Sequence, residues 1–136
     1  MGPRKVTAFA GVVAASIIVG SPARAASVEG AWAIRDLILD IYKCGDLMCG
    51  RVAWVKDPQR RRLNCGRTIV WGLSQSGPQA WDDGSIYDSI DGNTYRLNAT
   101  LSSDGTLHAR IFRGLPLFGK TEILTRVTSR PQPGWC

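Results

Sequence analysis

A chain of 136 residues with 17 Lys and Arg against 11 Asp and Glu carries a formal net charge of +6. Three of the cations, Arg4, Lys5 and Arg24, fall in an N-terminal segment that reads as an export signal, so residues 26–136 keep 14 basic and 11 acidic residues and a charge of +3. That is ordinary solubility charge rather than a nucleic-acid footprint, and 111 residues suffice for one domain with a modest core.

The signal has three parts. Arg4 and Lys5 make a positive start, an uncharged and mostly apolar run covers residues 6–20, and Ser21-Pro22 breaks it. Ala23-Arg24-Ala25 then sets small residues at the −3 and −1 positions of a cleavage site before Ala26. The run falls short of the ~20 residues that a spanning helix needs, which disfavours the alternative of a retained anchor. Residues 1–25 are therefore expected to be removed, and residues 26–136 to be delivered outside the cytoplasm, most simply to the periplasm. No second long apolar run follows, so no transmembrane segment is expected in the mature chain.

Along residues 26–136 two-residue alternation dominates and helical periodicity is almost absent. Residues 31–35, 37–44 and 49–56 read as strands, the last two joined through Gly45-Asp46-Leu47-Met48. Residues 57–67 are polar and basic and read as a loop. Residues 68–73 and 79–82 are weaker strand candidates, and 85–88 is a short one. Then come the clearest patterns. Tyr95, Leu97, Ala99 and Leu101 alternate with polar residues, as do Leu107, Ala109 and Ile111, and then Ile123, Thr125 and Val127. Asp91-Gly92 and Asp104-Gly105 stand at hairpin positions between these runs. Seven or eight short strands with mostly short connections imply an all-β antiparallel meander. Closing into an up-and-down barrel removes its edges, with a two-sheet sandwich as the alternative.

The four cysteines, Cys44, Cys49, Cys65 and Cys136, allow three pairings. An even count in an exported small protein favours disulfides. Cys44–Cys49 would close a tight turn between two strands, and Cys65–Cys136 would tie down the tail, residues 128–136. A four-cysteine zinc site lacks the paired short knuckles that zinc ribbons use.

An ordered set of motifs carries a family resemblance. Gly30-Ala31-Trp32 gives G-x-W. Cys44-Gly45-Asp46-Leu47-Met48-Cys49-Gly50 is followed by Trp54-Val55-Lys56-Asp57-Pro58. Later come Gly84-Ser85-Ile86-Tyr87-Asp88, Asp91-Gly92-Asn93-Thr94-Tyr95, and a stretch from Gly114 to Thr121 leading to Thr125-Arg126-Val127. Over roughly residues 29–127 the chain resembles the bacterial exported family catalogued as domain of unknown function 2147. The segment after Lys56-Asp57-Pro58 is shorter here than is usual there, and Cys65 and the terminal Gly134-Trp135-Cys136 look like a subgroup feature. The resemblance implies a lipocalin-like (calycin-like) barrel of about eight strands. In such barrels the G-x-W tryptophan packs at the closed end against an arginine of the last strand, places held here by Trp32 and Arg126. The resemblance brings no activity with it.

Candidate chemistry is sparse. His108, the single histidine, sits on the polar side of a strand without a triad pattern. Asp82, Asp83, Asp88 and Asp91 cluster in sequence without the acceptor spacing of a calcium loop. No cofactor, metal or enzymatic activity is expected. Arg60, Arg61, Arg62 and Arg67 form a basic arm, read first as solvated and otherwise as a contact to anionic envelope material. Leu115, Pro116, Leu117 and Phe118 put apolar residues into a hairpin connection, where a lid over one end of the barrel is favoured over a partner contact. The five tryptophans suggest a lined or filled interior. The leading reading is a non-enzymatic binding module for a small or apolar ligand, lined by Trp54, Trp71, Tyr87 and Phe118. Its alternative is a structural or protein-interaction domain of the cell envelope with a solid core.

Overall fold

A computed structural model describes residues 2–20, 27–129 and 135–136. Residues 2–20 form no helix or strand, and their Val, Ile and Phe side chains are all exposed, so they add nothing to the core. The tripeptide Ala23-Arg24-Ala25 and most of the tail lie outside the described residues. Among those described, no helix is long and apolar enough to cross a membrane.

Eight antiparallel strands follow one another around a closed barrel. They are β1 (Gly30–Ile34), β2 (Leu37–Cys44), β3 (Leu47–Val55), β4 (Thr68–Gly77), β5 (Ala80–Asp88), β6 (Asn93–Leu101), β7 (Leu107–Phe112) and β8 (Lys120–Arg126). Each strand pairs with its successor, and β8 returns to β1 through Trp32 opposite Arg126 and Ala33 opposite Thr125. Closure of this kind leaves no sheet edge exposed. It also makes every strand two-sided, which is why the alternating residues of β6 and β7 fall so regularly into core and surface. Leu97, Ala99, Leu101, Leu107, Ala109 and Ile111 are all buried.

One end of the barrel is shut. Trp32 is fully buried there and donates its indole N–H to the Val28 carbonyl at 2.9 Å. The Arg126 guanidinium covers the Trp32 ring and donates to the carbonyls of Glu29 (2.9 Å) and Ser27 (3.0 Å). The segment leading into β1 is thus held across the base, with Val28 buried beneath it.

At the other end the wall parts between β3 and β4 beyond Val52, whose N–H donates to the Arg67 carbonyl and whose carbonyl accepts the Gly66 N–H, each at 2.9 Å. The chain leaves β3 as a short helix, α1 (Pro58–Asn64). Trp135 and Cys136 lie along the upper end of β3. Trp135 bridges to Trp54, and the Cys136 N–H donates to the Ala53 carbonyl at 2.9 Å. The Cys65–Cys136 disulfide pins that arrangement to the end of α1, and Cys44–Cys49 closes the β2–β3 hairpin. The four cysteines are therefore bridged in pairs, with no free thiol.

The helix corrects the loop expected over residues 57–67. Asp57 accepts the Gln59 N–H at 2.9 Å as N-cap, and Pro58 occupies the first turn. Both are helix-start chemistry. Seven residues are too few to display a helical period. The short strands expected at 79–82 and 85–88 are one strand, β5. Its Asp-Asp-Gly interruption is a bulge in which the register against β6 shifts between Trp81 and Gly84 and Asp83 takes φ 62°. A bulge residue in the left-handed region looks, from sequence, like a turn.

Candidate functional site

The strands are filled below and hollow above. Towards the base, Ile41, Val70, Leu73, Leu97, Leu107 and Leu124 pack together around a void of only about 20 Å³. Towards the open end lies a cup of about 670 Å³. Its wall is aliphatic, with Ile34, Leu37, Leu39, Val52, Ile69 and Ile111 among its residues. Volume and lining both fall in the range of small-molecule sites. The expected solid core therefore describes only the lower half.

Polar groups gather at the rim. Arg35 pairs with Glu122, which also lies 3.6 Å from Lys120. The Tyr95 hydroxyl donates to Asp91, whose other oxygen accepts the Asn93 N–H at 2.8 Å. These bonds hold the Asp91 carboxyl below the usual carboxylate range, the Tyr95 bond contributing most, and raise the Tyr95 hydroxyl above the ordinary phenol value. Arg113 stacks over Tyr95 at 4.7 Å, and Arg67 over Tyr87 at 4.4 Å. Arg60 and Asn64 of α1 complete one side, where Asn64 is buried and donates to the Arg60 carbonyl at 2.8 Å.

Of the four residues expected to line a ligand site, Tyr87 and Phe118 border the cup, whereas Trp54 and Trp71 do not. Backbone phase explains both departures. Alternation from the inward-facing Val52 would turn Trp54 inward as well. The β2–β3 register, however, shifts from Leu39 opposite Val52 to Ile38 opposite Trp54. Ala53 is left as an extra residue, Val55 turns in, and Trp54 turns out to the tail. Val70 is a core residue, so its neighbour Trp71 stands on the outer wall, 40% exposed. The aliphatic lining and the rim pair Asp91–Tyr95 were missed. Asp91 looked only like a turn residue, and branched aliphatics look the same in a filled barrel as in a hollow one.

The other candidates are dispersed. Asp88 and Asp91 border the cup, while Asp82 and Asp83 belong to the β5 bulge. At the opposite end Asp104, Thr106 and His108 form a string that superficially suggests a catalytic triad. The Thr106 hydroxyl donates to Asp104 at 2.6 Å, so its single proton is committed. His108 Nε2, 3.2 Å from that oxygen, must then be the donor and does not act as a base toward it. The 115–118 loop is not the favoured lid. Its β7-side turn is held by Arg110, which donates to the Pro116 and Leu117 carbonyls, and Leu115, Leu117 and Phe118 stay largely exposed.

A model of uncharacterised proteins conserved in bacteria (DUF2147) matches residues 30–126, from the first residue of β1 to the last of β8. The chain belongs to the DUF2147 family. Within that family's barrel, the cysteine block forms the β2–β3 hairpin and Asp57 starts α1. Protein HP1028 of the human pathogen Helicobacter pylori, described as belonging to the lipocalin family, has a similar fold. The TM-score is 0.64 at 15% identity over 75% of this chain and 84% of that one. At that identity the likeness extends to the fold alone. No curated protein matches the chain.

Proposed function

We propose that this DUF2147 protein is exported and that its barrel binds one small, largely apolar molecule in the cup at its open end. The observation that carries the reading is the cup itself, about 670 Å³ with aliphatic walls above a packed base. A cavity of that size with a polar rim favours an apolar body held inside and a polar end left at the mouth. Export is supported by the organisation of the N-terminal residues, by their lack of contact with the core, and by two disulfides, which persist in oxidising compartments. The periplasm is the simplest destination for a bacterial family of this kind.

The test uses the form beginning at Ala26. Native mass spectrometry of protein recovered from the cell should detect a bound small molecule. A fluorescent apolar probe should titrate to one equivalent and be displaced by fatty or terpenoid compounds. Ile86→Trp, which places an indole into the cup from a wall that is only partly buried, should weaken probe binding by about tenfold or more. Absence of any bound species together with a probe that never saturates would remove the ligand reading.

A further inference from the structure

Among the described residues from 27 onward, the large apolar side chains that are mostly exposed all belong to connections at the open end. They are Leu63 on α1, Ile90 in the β5–β6 turn, and Leu115, Leu117 and Phe118 between β7 and β8, each between 62% and 78% exposed. Ile90 and Phe118 also border the cup. The closed-end turns are polar by contrast, built from Gly45-Asp46, Pro78-Gln79 and the stretch from Ser102 to Thr106. Exposed apolar tips concentrated at one end of a molecule mark a contact surface.

The connections at that end carry more cations than carboxylates. Of the carboxylates, Asp36 is exposed in the β1–β2 turn, and the others are engaged within the protein. Glu122 takes Arg35 and Lys120, Asp91 takes Tyr95, Asp88 accepts the Ile90 N–H at 2.8 Å, and Asp57 caps α1. Among the described residues, Arg60 and Arg62 have no carboxylate within ion-pair distance. Arg62 and Leu63 are both exposed, side by side on α1. Apolar tips beside unpaired guanidiniums are the chemistry of an interfacial site on an anionic bilayer, where the tips enter the headgroup boundary and the cations meet phosphates.

We propose that the open end of the barrel docks on an anionic lipid bilayer, setting the mouth of the cup against the membrane. Three separate connections supply the tips, which suits a flat partner met end-on better than a groove or a peptide. An apolar molecule then passes between bilayer and cup without crossing water. That transfer step rests on the ligand reading above, whereas the docking stands without it.

The experiment is co-sedimentation of the form beginning at Ala26 with two sets of vesicles. One is pure phosphatidylcholine, and the other contains about 30% phosphatidylglycerol, enough to give a negative surface potential. Binding is expected to the anionic vesicles and to weaken as salt rises. Leu115→Asp combined with Leu117→Asp should lower the partition by about tenfold or more while leaving apolar-probe binding in the cup unchanged, since neither residue borders it. Arg62→Glu, at an exposed residue that does not border the cup, should lower binding to anionic vesicles and leave probe binding in the cup unchanged. Ile123→Asp, on the outer wall of β8 and 48% exposed, should have no effect. Circular dichroism and a free-thiol assay check that each variant is folded and oxidised. The proposal is overturned if folded wild-type protein ignores anionic vesicles, or if Ile123→Asp weakens binding as much as the loop pair. It is equally overturned if the loop pair instead changes sedimentation velocity without lipid, which would make the patch a protein contact. Docking that survives when the cup takes up no probe leaves this inference standing and removes the ligand reading alone.

Discussion

Arg126 lies across the face of Trp32 with its guanidinium carbon 4.2 Å from the ring centroid, and the two residues are backbone partners at the seam where the barrel closes. Arg126 also donates to two carbonyls of the segment that enters β1. One side chain therefore joins the last strand, the first strand and the cover over the base. A guanidinium can stack and donate in two directions at once, while an ammonium is a point donor. Arg126→Lys should thus recover little of what Arg126→Met loses. Both should destabilise the barrel by about 1–2 kcal/mol, since an exposed cation–π contact contributes about 0.5–1 kcal/mol and solvent exposure of the guanidinium weakens its two bonds well below the buried value. Urea unfolding checks this. A lysine variant indistinguishable from wild type would make the stacking and the paired bonds irrelevant to closure.

The two disulfides should differ in worth. Cys44–Cys49 closes five residues and Cys65–Cys136 closes 71. On the chain-entropy estimate the short loop contributes about 2 kcal/mol and the long one about 4 kcal/mol. The long bridge also keeps Trp135 and Cys136 on the upper end of β3. Paired Cys→Ser replacements followed by urea unfolding should therefore show Cys65→Ser with Cys136→Ser as the more damaging pair. Equal losses would mean that the tail is held by its backbone contacts rather than by the bridge.

Rim chemistry gives a pH prediction. Tyr95 lowers the Asp91 carboxyl in the folded protein, so this bond's contribution to stability is present above the unfolded carboxylate value and is lost as pH falls through the lower folded value. Tyr95→Phe should move the Asp91 midpoint upward, read by carbon-detected NMR titration. The stability difference between wild type and variant should be present at neutral pH and shrink towards zero in acid. An unmoved midpoint would assign the depression to the Asn93 N–H instead.

The barrel was legible because closure makes alternation regular. Leu97, Ala99 and Leu101 face in from one strand, and Leu107, Ala109 and Ile111 answer them from the next. The site was less legible because it depends on departures from alternation. Ala53 is one surplus residue, and its insertion exchanges the faces of Trp54 and Val55. Nothing in a local pattern of Val, Ala, Trp and Val announces that exchange. The cup has the same cause, since whether facing aliphatics meet or leave a hollow is decided by barrel diameter and strand stagger, which no single strand encodes. The helix, in contrast, carried readable start signals in Asp57-Pro58, masked by the basic run behind them.

Gly119, in the stretch that joined the family motifs, offers the sharpest steric test of the mouth. It is not there for an unusual backbone, since its φ of −96° and ψ of −171° are open to any residue. It is there for space. A Cβ at this position would stand 2.3 Å from the Ile111 carbonyl oxygen and 2.7 Å from the Phe112 Cβ. The oxygen belongs to a neighbouring strand and cannot rotate away, so Gly119→Ala must push β8 off β7 where the docking loop begins. A cost of about 1–3 kcal/mol is expected, in the range for overpacking. Gly84 is the natural comparison. Its added Cβ would meet Leu73 Cδ2 at 2.6 Å and Cγ at 2.7 Å, with the Leu97 carbonyl oxygen at 3.1 Å, so the hardest part of the clash falls on a side chain beside a small void rather than on backbone. Gly84→Ala should therefore cost less than Gly119→Ala in urea unfolding, and only Gly119→Ala should change partition onto anionic vesicles. If Gly84→Ala proves the costlier, Leu73 is locked by its neighbours and the base of the cup is more rigid than its mouth.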